Sequence, residues 1–155
     1  MLTIAQALHD EVIAHCRSRY PKEACGILAA EARSNSGLAS ALRAPGSPGG
    51  APGNVVVQVY PMTNVEDSPI SYAMDPKEQL QIEKQMRQRQ QRMAGIYHSH
   101  TASEAYPSSV DVRLAISPDV SYVLVSLKDP KQPDFKSYRI DGTTITTEPC
   151  RIGAG

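Results

Sequence analysis

Apolar residues recur along the chain in short runs, each broken by a cluster of polar and turn-forming residues. Over residues 3–19 the period is helical. Ile4, Leu8, Val12 and Cys16 fall four apart on one stripe, and Thr3 with Gln6 offers a capping box at its start. Cys25-Gly26-Ile27-Leu28-Ala29-Ala30 reads as a short buried strand. Residues 54–62 have period two, with Val55, Val57 and Val59 alternating against Val56, Gln58 and Tyr60. Asp75 and Pro76 supply a cap and a first position for a helix running to about Met93, whose apolar positions (Leu80, Ile82, Met86, Met93) are sparse. Residues 94–100 predict the next strand and about 109–116 a short helix. Strands at 121–127, 135–140 and 143–147 follow, the last two joined by the turn pair Asp141-Gly142. Strands interleaved with helices predict an α/β domain, a sheet covered by helices.

The composition changes sharply between Ser34 and Gly53, a stretch of Ser, Gly, Pro and Ala that holds half of the chain's glycines. Such a segment buries too little apolar surface to offset its ordering entropy, which predicts a mobile insert within one domain spanning residues 1–155. The formal charge of zero removes the electrostatic argument for nucleic acid or an anionic membrane as main partner. No apolar run approaches the roughly 20 residues of a membrane span, and the first residues lack the basic start and apolar run of a signal peptide. Three scattered cysteines, Cys16, Cys25 and Cys150, make no disulfide framework. These features predict a soluble, cytoplasmic protein.

Candidate chemistry concentrates in His98-Ser99-His100 and the residues that follow. Strand side chains alternate faces, so His98 and His100 point the same way and form half of a zinc site. Asp111, three residues into a helix beginning near Ser108, is placed to be a third ligand, leaving a fourth position for water as in catalytic zinc. Ser108 and Asp111 share a helix face, so both can look at the metal. Each element has a plainer reading too. Ser108-x-x-Asp111 is an ordinary capping box, and a His-x-His pair can be structural; the joint pattern favours the metal. His9 and His15 read as surface or boundary residues of the first helix. Cys25 reads as a buried structural thiol rather than a nucleophile. Lys84, Arg87, Arg89 and Arg92 give a basic helix face, either solvated or suited to an acidic protein substrate.

His98-x-His100-x(7)-Ser108-x-x-Asp111, with Pro21-Lys22-Glu23-Ala24-Cys25-Gly26-Ile27-Leu28 upstream, resembles the JAMM motif of the MPN+ zinc metalloproteases. The resemblance extends through Pro61-Met62-Thr63-Asn64, Tyr72-Ala73-Met74-Asp75-Pro76 and Ser121-Tyr122-Val123-Leu124-Val125-Ser126, and omits only the insert and the extreme ends. It is nearest to the small bacterial CysO-cysteine peptidase-like branch. It implies the MPN (JAMM) fold, a curved mixed β-sheet flanked by helices and related to cytidine deaminases, although the deaminases' Pro-Cys-x-x-Cys element is absent. It implies one zinc held by His98, His100 and Asp111, Glu23 as general base, and Ser108 as donor to the tetrahedral oxyanion. The implied substrate is a small ubiquitin-like (β-grasp) sulfur-carrier protein, cut after its C-terminal Gly-Gly to release cysteine or a short extension. Two rival readings remain, an isopeptidase acting on ubiquitin-like conjugates and a non-catalytic MPN interaction scaffold. A homo-oligomer is compatible with either.

Overall fold

The computed structural model describes residues 1–33 and 53–153; apart from Gly53, the proposed insert lies outside the described residues. Twelve elements follow one another in that part of the chain. They are β1 (Leu2–Ala5), α1 (Gln6–Arg19), β2 (Cys25–Glu31), β3 (Asn54–Val55), β4 (Gln58–Met62), α2 (Pro76–Gln88), β5 (Gln91–His100), α3 (Ser109–Leu114), β6 (Ser121–Ser126), β7 (Asp134–Asp141), β8 (Thr144–Glu148) and β9 (Cys150–Gly153). Six strands form a mixed sheet in the order β4-β2-β5-β6-β7-β8, and β3-β1-β9 form a second, smaller sheet. Within the large sheet only the β5–β6 pair is parallel, with His98 opposite Leu124 and His100 opposite Ser126.

Alternation along β2 and β5 sorts the core onto two faces. Leu28 and Tyr97 point to one side, where they pack with Val12, Ile13 and Cys16 of α1 and with Val123 and Val125 of β6. Cys25, Ile27 and Ala29 point to the other, against Met86 and Ile82 of α2 and Tyr60 and Met62 of β4. His98 is opposite Cys25 in the ladder and therefore shares the α2 face. Full burial of each large aliphatic side chain contributes about 1.5–3 kcal/mol, so the two layers fix the β2–β5 register firmly.

The helix expected over 3–19 begins later than its stripe suggests. Leu2 and Ile4 are buried on alternate positions of β1, which pairs in parallel with β3 and β9. The Thr3–Gln6 capping box is not formed; α1 starts after Ala5 with no side-chain cap. The strand expected over 54–62 is interrupted at Val56-Val57, because Asn54 and Val55 pair with β1 whereas β4 pairs with β2. Val55 and Val57 are the exposed side of that segment and Val56 the buried one. Asp75 does cap α2, accepting the N–H of Lys77 at 2.8 Å, and Pro76 opens it. That helix ends at Gln88 rather than near Met93. The chain reverses at Gln90, whose φ is 53°, and Gln91-Arg92-Met93 already belong to β5. The expected basic face is accordingly divided. Lys84 and Arg87 lie on α2, Arg89 donates to Gln58 Oε1 at 2.8 Å, and Arg92 on β5 donates to Asn54 Oδ1 at 3.0 Å. The helix expected to about Ile116 stops at Leu114, and the segment after Pro149, which carried no strand signal, forms β9 beside β1. Gly142 makes the β7–β8 turn with φ +58°. Among the described residues no helix is long and apolar enough to cross a membrane.

Candidate active site

Strand β5 ends in His98, Ser99 and His100, and its alternation sends both imidazoles to the α2 face. The loop after β5 returns the chain to Ser108, where α3 begins. The Ser108 hydroxyl accepts the Asp111 N–H at 3.2 Å, and the Asp111 carboxylate accepts the Ser108 N–H at 2.7 Å. The capping box is formed, and the same carboxylate also faces the two imidazoles. While it caps the helix, Asp111 also places Oδ1 3.1 Å from His98 Nε2 and Oδ2 3.4 Å from His100 Nε2. The two Nε2 atoms stand 3.2 Å apart.

These distances fit a metal ion. Donors held 2.0–2.1 Å from one zinc at tetrahedral angles lie about 3.3 Å from one another. The three side chains offer ligand atoms that all lie within 4.8 Å of each other, and together they could hold a cation. The donor chemistry agrees. His100 Nδ1 lies 2.8 Å from the Glu104 carbonyl, which can only accept, so the ring donates there and a neutral His100 presents a lone pair at Nε2. Two imidazole nitrogens and a carboxylate facing one another are electron-rich, and a proton or a cation must lie between them.

Burial and the mutual proximity of the three groups shift their proton affinities in opposite directions. Burial pushes His98 below its ordinary range, against the attraction of Asp111. Burial acts on His100 in the same sense but is outweighed by the Asp111 carboxylate and the Glu104 carbonyl, which raise it. Asp111 is desolvated too, yet its hydrogen bonds with His100 and His98 hold it well below the usual carboxylate range. A metal binding here needs both imidazole nitrogens and the carboxylate unprotonated, so its affinity depends on pH.

Glu23 sits in the segment between α1 and β2, only 6 % exposed, and lines the same cleft as His100, Ser108 and Asp111. Burial pushes its carboxyl up to about 7; proximity to His100 opposes this, and Asp111 and Glu66 add to it. The cleft encloses about 260 Å³, with Ser71, Tyr72, Thr101 and Ala102 among its walls. All five residues singled out in the sequence therefore meet at one place. Tyr72, to which the sequence gave no role, lies stacked on His98 with ring centroids 4.6 Å apart; its only signal was membership of the Tyr72-Ala73-Met74-Asp75-Pro76 segment. Cys25 is fully buried and its thiol is pushed up to about 12, as a structural cysteine requires. His9 and His15 are boundary residues, His15 Nδ1 lying 2.8 Å from the Tyr97 hydroxyl.

The chain is similar to several known proteins. The chain is 40% identical over 152 residues to the CysO-cysteine peptidase of Mycobacterium tuberculosis, covering 98% of this chain and 91% of that one. It is 27% identical over 130 residues to the desampylase of Haloferax volcanii, covering 81% and 80%. A solution structure from Desulfitobacterium hafniense matches with a TM-score of 0.80 at 34% identity, over 100% of this chain and 94% of that one. The fold of a JAB1/MPN domain protein from Archaeoglobus fulgidus matches with a TM-score of 0.55 at 14% identity, over 97% and 98%. The family of prokaryotic homologs of the JAB domain matches residues 5–141, and the chain belongs to that family.

Proposed function

We propose that the protein is a zinc-dependent peptidase that cuts after the C-terminal Gly-Gly of a ubiquitin-like sulfur-carrier protein, releasing cysteine or a short extension. The convergence of His98, His100 and Asp111 beside a buried Glu23 carries this reading. Its substrate class comes from the likeness to CysO-cysteine peptidases over nearly the whole chain. His98, His100 and Asp111 would hold the metal. Zinc in such a site polarises a carbonyl and lowers the pKa of its water from about 15.7 toward about 7. Glu23, with a carboxyl near 7, is suited to take a proton from the attacking water and to hand it to the leaving amine. Ser108 keeps its hydroxyl proton free while its oxygen accepts from Asp111, so it can donate to the oxyanion that develops on the scissile carbonyl.

The presence of every donor argues against the scaffold reading. The desampylase relative keeps the isopeptidase reading in view. The test is to incubate a β-grasp carrier ending Gly-Gly-Cys with the protein and follow loss of one cysteine by mass spectrometry. Chelation should stop the release and added zinc restore it, while Glu23→Gln should retain zinc and lose turnover. Intact carrier adducts alongside cleaved lysine-linked conjugates would establish the isopeptidase instead.

A further inference from the structure

All four main-chain polar groups of Glu23 and Ala24, which directly precede β2, are hydrogen-bonded. The Glu23 N–H donates to the Ser68 carbonyl at 2.8 Å, and the Glu23 carbonyl accepts from Asn64 Nδ2 at 3.1 Å. The Ala24 N–H donates to Ser99 Oγ at 2.8 Å, and the Ala24 carbonyl accepts the Ser99 N–H at 3.0 Å. Ser99 is the residue between the two histidines. Its side chain points to the opposite face and so is free to grip the segment that carries Glu23.

Asn64 is 4 % exposed and uses its whole amide. Besides Glu23 it donates to the Ser71 carbonyl at 3.0 Å, and its Oδ1 accepts from Glu66 N and Ala73 N, each at 3.1 Å. It thus ties the Glu23 main chain to the wall that stacks Tyr72 on His98. Ser99 ties the neighbouring peptide to the strand that carries both histidines. A glutamate that moves a proton to and from a defined point needs this kind of support, since misplacement of a reacting group by about 1 Å can cost roughly 100-fold.

We infer that Asn64 and Ser99 are positioning residues that set Glu23 against the His98–His100–Asp111 cluster, Asn64 from the cleft wall and Ser99 from the histidine strand. The inference rests on the peptidase reading for its kinetic consequence. The mechanical claim stands apart from it. Neither side chain is hydrogen-bonded to His98, His100 or Asp111, so proton transfer and metal binding should respond separately.

Ser99→Ala keeps the volume nearly unchanged and leaves the Ala24 N–H without its acceptor; Asn64→Asp keeps both acceptor bonds and removes both donors. Each variant should bind zinc as the wild type does and cut a Gly-Gly-Cys carrier with kcat at least 10-fold lower and KM within about twofold. Hydrogen exchange should quicken at Ala24 in Ser99→Ala and at Glu23, whose N–H is held by the Ser68 carbonyl, in Asn64→Asp, and remain unchanged in β6, β7 and β8. In a Glu23→Gln background neither change should lower kcat further. Loss of zinc in Ser99→Ala would mean that it acts on the histidines, which overturns its assignment. Unchanged kcat in a folded variant, or exchange quickened uniformly, overturns the inference as well. Should the wild type leave the carrier intact, the peptidase reading falls, and local against uniform exchange still decides the positioning claim.

Discussion

Ser108 and Asp111 bind each other reciprocally at 2.7 and 3.2 Å, and the carboxylate closing this box is also the one that faces His98 and His100. Helix α3 has six residues and buries none of them, so it depends on its cap for its first turn. The cap therefore sets the position of the third donor.

Removing the hydroxyl half of the cap should weaken metal binding without touching a ligand. Ser108→Ala is expected to cost about 1 kcal/mol of local stability. It should lower zinc affinity roughly 10–100-fold, as loss of an outer partner does. His98→Ala, His100→Ala and Asp111→Ala should each abolish stoichiometric zinc. Competition against a chromophoric chelator measures both effects. Unchanged affinity in Ser108→Ala would show that the Ser108 main-chain N–H, which the variant keeps, is enough to place the carboxylate.

Glu23 predicts a pH dependence of stability whose sign follows from its raised carboxyl. The folded chain binds this proton more tightly than the unfolded chain does. Its stabilisation is therefore complete below the unfolded range, about 4.3, and is lost as pH rises through about 7. Glu23→Gln has no such titration. In the metal-free protein, the Tm of Glu23→Gln should match wild type near pH 4 and exceed it increasingly up to pH 8. Parallel profiles across that range would mean that Glu23 is solvated.

Gly26 tests the register that brings β2 to β5. A Cβ at this position would collide with the Tyr97 ring, which is fully buried and has its hydroxyl 2.8 Å from His15 Nδ1. Gly26→Ala should destabilise by about 1–3 kcal/mol through overpacking. That corresponds to a fall in Tm of about 2–12 °C for a domain of this size. A thermal melt at unchanged zinc content reads it directly, and an unaltered Tm would mean that Tyr97 has room to move.

What was legible in the sequence was whatever depends on spacing. His98 and His100 share a face because a strand has period two, and Ser108 and Asp111 share one because a helix turns in 3.6 residues. Glu23 was visible only through a family motif, and its burial was not visible at all. Strand β1 was hidden because Ile4 fits the helical stripe of Leu8, Val12 and Cys16 as well as it fits the alternation with Leu2. Strand β9 has no buried residue and exists through its pairing with β1, a long-range contact without a local pattern. The end of α2 lacks a glycine signal, since Gln90 adopts the left-handed conformation. Asn64, Ser99 and Tyr72 gain their roles from partners distant in sequence, which no window over the chain contains.

The cleft's lips lead to a last prediction, about the substrate's tail. Ile70 is 85 % exposed, Leu114 58 % and Val110 41 %, and all three line the same cleft as Glu23 and Asp111. Among the lining residues the ionisable groups apart from Tyr72 are Glu23, His100 and Asp111; Ile70, Val110 and Leu114 bring no charge. On the proposed function, an extended Gly-Gly terminus enters this cleft toward Glu23, and the residue before it is expected to meet these lips. An apolar side chain there is buried against Ile70 and Leu114, whereas an arginine loses water and finds no acidic partner on either lip. Burying one apolar side chain is worth about 1.5–3 kcal/mol, roughly 10–150-fold in kcat/KM if the contact is kept in the transition state. A carrier with valine before Gly-Gly-Cys should therefore be cut at least 10-fold more efficiently than the same carrier with arginine there. Ile70→Glu combined with Leu114→Glu should narrow or reverse that preference while leaving zinc content unchanged. Equal kcat/KM for the two tails in the wild type would mean that the lips do not touch the substrate on the carrier side of the scissile bond.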